Sequence, residues 1–334
     1  MKLTSCKITP VNTRISRIRL LSDANAEGSW VIDHDLQTMA ESLFSAALAG
    51  QDPRATAFLW RNMLDHAGDN LQARICAAAL DVALWDLKSV SGNEPLWRKI
   101  GGARKPANIH FSIGGCATGS ADEDRRLHKA LSTSGFREGR LDSPLDADDL
   151  PLRIERLASA LADDAQPPAL YVNAREQGAL KDAIASIRTL EQRFDITGIE
   201  APCPMWDASG VRKVSENIRA AVFNDLSAYG RERLLPLFRA QSLNIVQLSI
   251  FRDGVSGVLE LADAAFGYEL PIIIAAAPGN IGAHFAGALP YFMSLEIAEL
   301  PEAQTLPSDI AISDGWALPG DAPGLGVNWP QPSI

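Results

Sequence analysis

The apolar positions of this chain fall into two regimes. In the first hundred residues, Lys2 to Val11 and Arg14 to Leu21 read as two strands, while Asp33 to Ala49 and Ala55 to His66 read as helices. A longer helix follows. Ile75, Leu80, Leu84 and Leu87 recur at roughly helical spacing, with Ala77 to Ala79 and Ala83 between them, and small residues let such a helix approach its neighbours closely. Asp81, Asp86 and Lys88 fall among these apolar residues; Gly92 and Asn93 end the helix, and Pro95 prevents it restarting. From about Asn108 short apolar runs take over: Ile109–Phe111, Leu170–Val172, Ile196–Glu200, Ala220–Phe223, Ile245–Ile250 and Pro271–Ala276. Helical stretches at Asp146–Ala162, Leu180–Phe194 and Glu232–Ala240 separate them, and this alternation predicts βα units closing into a parallel barrel. Pro301 to Ile334, rich in Pro, Gly and Asp, reads mostly as loop.

Composition narrows the picture. The 334 residues suffice for a barrel of about 250 residues plus a smaller domain, and 46% hydrophobic content supports a large core. A net charge of −10 argues against a nucleic-acid partner. No apolar run approaches the ~18 residues of a membrane span. The opening MKLTSCKITPV lacks the apolar centre of a signal peptide, so a cytoplasmic location is expected. Cys6, Cys76, Cys116 and Cys203 are widely spaced and read as free thiols.

One stretch is more specific than its periodicity. Ala79-Leu80-Asp81-Val82-Ala83-Leu84-Trp85-Asp86-Leu87-Lys88, closed by Gly101-Gly102, resembles the helix that opens the barrel domain in mandelate racemase and muconate lactonizing enzymes of the enolase superfamily. Pro323-Gly324-Leu325-Gly326-Val327 is similar to a tail phrase of the same family. The resemblance implies an α+β capping domain over residues 1–105, joined by part of 300–334, and a TIM-type barrel over 106–300. It also implies a homo-oligomer. The family usually carries a mobile loop between its first strands; Val11-Asn12-Thr13-Arg14 leaves almost no room for one, so a truncated lid and a more open site are expected.

In such barrels the chemistry sits at the C-terminal strand ends. The resemblance implies proton abstraction beside a carboxylate, with Mg2+ stabilising the enediolate and a Lys or His as base. The metal positions map onto Asn173, where the family has Asp; onto Glu200, in a phrase similar to Ile-Glu-Glu-Pro; and onto Asp225, in one similar to Ala-Asp-Glu-Ser. A one-residue shift would put Asn224 in the last position; Asp225 keeps Ser227 in phase. An amide brings no charge, and Arg175 lies two residues beyond Asn173, so a Mg2+ site that is weakened or absent is expected. The family's Lys-x-Lys falls on Arg140 and Asp142, its later lysine on Ser249, and the seventh strand lacks a His. Arg does not readily surrender a proton at neutral pH, and a carboxylate such as that of Asp142 is a weak base. Glu296 keeps a glutamate that many members hold near the substrate carboxylate. His284 reads as a packed residue, and His34, His66, His110 and His128 show no metal-ligand spacing.

Two readings follow. In one, a diverged lyase or isomerase acts on a small carboxylate or acid sugar, with Asp142 or Glu296 moving protons and Arg140, Arg175 and Ser249 binding substrate. In the other, a non-catalytic binding or assembly protein keeps the fold. An arginine inserted among the carboxylates would favour the second.

Overall fold

The computed structural model describes residues 1–113, 135–161, 167–224, 230–298 and 306–329. The chain opens with β1 (Leu3–Pro10) and β2 (Ile15–Ser22), an antiparallel pair. Their turn is tight: the Asn12 Oδ1 accepts the backbone N–H groups of Arg14 (2.8 Å) and Ile15 (2.9 Å). A third strand, β3 (Glu27–Asp33), pairs with β2. The sequence reading counted two strands here. The third escaped it because Gly28 to Ile32 are all buried, so the segment lacks the alternation of a half-exposed strand. β3 lies directly on the long helix. A Cβ on Gly28 would come within 2.3 Å of the Ala83 carbonyl.

The helices α1 (Gln37–Ala47), α2 (Thr56–Ala67) and α3 (Leu71–Ser91) follow, then the short α4 (Leu96–Lys99). Asn70 caps α3 by accepting the Ala73 N–H at 3.0 Å. The two acidic residues inside α3 are buried and each ties it to another part of the chain. Asp86 accepts the N–H of Ser29 in β3 (2.7 Å) and that of Leu325 in the tail (2.9 Å). Asp81 accepts both the N–H and the hydroxyl of Ser256 at 2.7 Å. The two sequence phrases that carried the family resemblance are therefore in contact.

Eight parallel strands follow: β4 (Ala107–Ile113), β5 (Glu138–Asp142), β6 (Ala169–Asn173), β7 (Gly198–Glu200), β8 (Ala221–Phe223), β9 (Val246–Leu248), β10 (Ile272–Ile274) and β11 (Phe292–Ile297). Their order is β8-β7-β6-β5-β4-β11-β10-β9. A lone Phe223–Ile245 bridge nearly closes the ring between β8 and β9. That seam is reinforced by side chains. Asn224 exchanges two bonds with the Gln247 backbone (2.8 and 2.9 Å), and Asn244 Oδ1 accepts the Val222 N–H at 2.8 Å. The helices α5 (Leu150–Leu161), α6 (Leu180–Glu191), α7 (Ala208–Asn217), α8 (Gly230–Arg239) and α9 (Ile250–Phe266) surround the barrel. The tail, expected to be mostly loop, also forms a hairpin, β12 (Ala311–Ser313) and β13 (Trp316–Leu318), whose second strand pairs antiparallel with β4.

Two hydrophobic clusters divide the core. The larger lies between sheet and helices and continues into the N-terminal unit. Tyr171, Phe223, Ile245 and Ile273 form the smaller, inside the barrel. They make an apolar floor; two residues on toward the C-terminal strand ends, Tyr171 and Ile245 are followed by the polar Asn173 and Gln247, and Ile273 by Ala275.

An arginine–carboxylate network in the barrel mouth

Arg140 sits in the middle of β5. Its neighbours on the strand face outward; a Cβ on Gly139 would meet Leu157 of α5 at 2.8 Å. Alternation therefore turns Arg140 into the barrel, where it is 7% exposed. Its Nη1 donates to Glu200 Oε2 at 2.7 Å and to Glu296 Oε2 at 3.4 Å. Its Nη2 lies 3.0 Å from Glu296 Oε1 and 3.6 Å from Asp142 Oδ1. Burial alone would lower the guanidinium pKa. The charges of Glu296, Glu200 and Asp142 and the bond to Glu200 outweigh it, so the pKa is raised and Arg140 stays a cation.

The network extends both ways. Arg175, half exposed, donates to Asp142 Oδ2 at 2.7 Å. Gln247 Nε2 donates to Glu296 Oε2 at 3.0 Å, and the Ala276 N–H reaches the same oxygen at 3.4 Å. Three polar atoms here are buried without a hydrogen-bond partner: Arg140 Nε, Asp142 Oδ1 and Gln247 Oε1. Strained backbone borders them. Arg175, Glu176 and Ala201 have φ of 54°, 59° and 46°. The left-handed region costs non-glycine residues roughly 1–2 kcal/mol each. Local bonds hold them there: the Arg175 N–H to Asn173 Oδ1 and the Glu176 N–H to the Ala201 carbonyl, both 2.9 Å.

The structure thus joins Arg140, Asp142, Arg175, Glu200 and Glu296 in one network, with Asn173 attached through the Arg175 N–H. Ser249 is buried at the N-cap position of α9, where its N–H donates to Asp253 Oδ2 at 3.2 Å. Asp225 lies outside the described residues. The amide of Asn224, the alternative ligand, is committed to the strand seam. Sequence reasoning missed Gln247. Its signal was a lone amide two residues before Ser249 in an otherwise apolar strand, hence on the same face. His110 lies beneath the network with Nδ1 2.8 Å from Ser294 Oγ and its ring 5.4 Å from that of Tyr171. Burial lowers its pKa to about 4. His284 is buried on the Leu325 carbonyl at 3.2 Å, with its pKa pushed down to about 4 by burial.

Mg2+ demands near-octahedral oxygens at about 2.0–2.1 Å. Glu200 instead holds a guanidinium, Asn173 Oδ1 accepts a backbone N–H, and no three potential ligands stand together for a metal among the described residues. The described residues do not form a magnesium cage.

The sequence model of the Enolase C-terminal domain-like family matches residues 122–333, well over half of the chain. The chain belongs to that family. Its relatives within the enolase superfamily are of mandelate racemase/muconate lactonizing enzyme type. The 3,6-anhydro-alpha-L-galactonate cycloisomerase of Streptomyces coelicolor is 25% identical, over 87% of this chain and 80% of its own length. The arabinonate dehydratase of Saccharolobus solfataricus is 22% identical over the same shares. Among solved structures, a Streptomyces coelicolor racemase with bound magnesium superposes with a TM-score of 0.84 at 19% identity, covering 98% of this chain and 97% of that one. L-talarate dehydratase from Polaromonas sp. JS666, complexed with Mg and L-glucarate, gives 0.82 at 21% identity, covering 98% and 95%. The enolase-superfamily architecture, a capping domain on a TIM barrel, is therefore the fold of this chain. No helix among the described residues is long and apolar enough to cross a membrane.

Proposed function

We propose that this chain binds a small acid sugar or related carboxylate at the barrel mouth and does not perform Mg2+-assisted proton abstraction of the superfamily type. The observation that carries this reading is the 2.7 Å contact from Arg140 Nη1 to Glu200, the glutamate whose family counterpart is a metal ligand. A buried guanidinium held charged by three carboxylates neither accepts a substrate proton nor leaves Glu200 free for a metal. Asp142 and Ser249 replace the other lysines with groups poorly suited to abstract a weakly acidic proton.

Binding is a different matter. Arg175 presents a half-exposed cation for a ligand carboxylate, and Asp142 Oδ1 and Gln247 Oε1, which lack hydrogen-bond donors, are acceptors suited to ligand hydroxyls. The names of two relatives point to galactonate- and arabinonate-type acids, which combine those groups. A diverged enzyme is the second reading, favoured by that same buried Asp142 oxygen, which accepts no hydrogen bond and would serve as a metal-independent base.

The test is a panel of sugar acids incubated with the protein in D2O, with and without MgCl2. NMR follows deuterium entry at the carbon beside the carboxylate, and thermal unfolding follows binding. Ligand-dependent stabilisation without deuterium entry is the expected result. Mg2+-dependent deuterium entry would refute the proposal, and metal-independent entry that disappears in Asp142→Asn would establish the second reading.

A further inference from the structure

We propose that Arg140 is a built-in cation: its guanidinium takes the electrostatic place of a divalent ion, and removing it uncovers a hard-cation site made by Asp142, Glu200, Glu296 and Gln247. The inference rests on the reading of the mouth given above. The three carboxylates come from β5, β7 and β11, strands that are not mutual neighbours in the barrel, yet all approach one guanidinium. Glu296 spans both Nη atoms, Glu200 approaches from the Nη1 side and Asp142 from the Nη2 side. Each of the three is under 10% exposed at its side chain.

The second observation is Gln247. It is 2% exposed, its Nε2 is fixed on Glu296, and its Oε1 has no partner. An uncharged oxygen beside anionic oxygens is a donor set for Mg2+, Mn2+ or Ca2+. With Arg140 present, the carboxylates are spread around its planar fork. Without it, Glu200 and Glu296 face a vacated buried space with no cation, Asp142 keeps only Arg175, and the excess negative charge requires a counterion or protons.

This set differs from the one implied by family resemblance. That set places Asn173 and Asp225 beside Glu200; here Asn173 is engaged by the Arg175 N–H, while Asp142 and Glu296 do the holding. The protein as it stands is accordingly indifferent to divalent ions in its folding.

The experiment compares thermal unfolding of the full chain in EDTA and in Mg2+, Mn2+ or Ca2+, for wild type, Arg140→Ala, Arg140→Met and Arg140→Ala/Glu296→Gln. Wild type is expected to melt at one temperature throughout. Arg140→Ala should melt far lower in EDTA and recover saturably with Mn2+, with Mn2+ affinity on the order of tenfold or more above wild type because the guanidinium no longer competes for the carboxylates. Arg140→Met fills the space without charge, and the double variant removes a ligand; neither should recover. If Arg140→Ala is insoluble in EDTA, it is refolded from denaturant with and without Mn2+, and a Mn2+-dependent soluble yield supports the proposal. Equal recovery under both conditions, zero included, overturns it. So does an Arg140→Ala protein that folds and ignores divalent ions. Mg2+-dependent proton exchange by wild type would instead sink the functional reading, so the two failures are distinguishable.

Discussion

Asp81 should give the protein a pH-dependent stability that one substitution abolishes. Its carboxylate is fully buried where α3 meets the helix α9, accepting the Ser256 N–H and hydroxyl at 2.7 Å. Trp85 Nε1 donates to the same hydroxyl at 2.8 Å. Gly254, at φ 65°, interrupts α9 just ahead of these groups, so Asp81 caps a restarted helix. Burial raises its pKa from 3.8 to about 7, even though hydrogen bonds from Ser256 and Val255 pull the other way. The folded protein therefore holds this proton more tightly than the unfolded chain. The contribution of the protonated form is complete below the unfolded value and is lost as pH rises through about 7. The interval from 3.8 to about 7 corresponds to about 4 kcal/mol, at roughly 1.4 kcal/mol per pH unit. Asp81→Asn removes the titration and spoils a carboxylate hydrogen bond, a pH-independent loss of about 1–3 kcal/mol. The variant should be the less stable protein near pH 4.5, should gain on wild type steadily up to about pH 7, and should hold a constant difference above it. Urea unfolding of both proteins across that range measures the difference, in which Asp86 (raised to about 6 by burial) and all other groups cancel. Parallel profiles would refute the argument.

Three further outcomes are expected. Gly324→Ala should destabilise by more than about 2 kcal/mol in chemical unfolding, since φ is 82° and a Cβ would stand 2.2 Å from Asp86 Oδ1. Asn224→Ala removes both side-chain bonds to the Gln247 backbone; amide exchange at Val246 to Leu248 should accelerate selectively, with stability falling by about 1–3 kcal/mol. Arg175→Ala removes a half-exposed partner of Asp142, so unfolding should shift by under about 1 kcal/mol while sugar-acid stabilisation is lost.

Most of the barrel was legible because six of its parallel strands are apolar runs separated by helical spacing; the strands Glu138–Asp142 and Phe292–Ile297 carry charged residues inside the barrel and stood out only through the family resemblance. The N-terminal sheet was read one strand short, because β3 is buried on consecutive positions and periodicity cannot register such a strand. Residue types at the mouth were legible too: Arg140 and Asp142 stand at alternate positions of one strand, and Glu200 and Glu296 close two others. What one-dimensional spacing could not supply was the distance between strands. That Arg140 reaches across to β7 and β11 depends on barrel closure. Gln247 carries no motif of its own: it is one amide in a three-residue strand, two positions before the family's lysine position. The tail hairpin was hidden in a Pro- and Gly-rich segment whose pairing partner, β4, lies far away in sequence.

The bond from Leu325 to Asp86 has a consequence for the order of assembly during synthesis. α3 leaves the ribosome early, carrying a carboxylate whose second partner is more than two hundred residues away. At roughly 5–20 residues per second, that partner emerges roughly 10 to 50 seconds later. Until then the N-terminal unit has its sheet and helices but an unfinished seat at Asp86. The whole barrel is translated in that interval, and the segment around Leu325 completes the seat at Asp86 only afterwards.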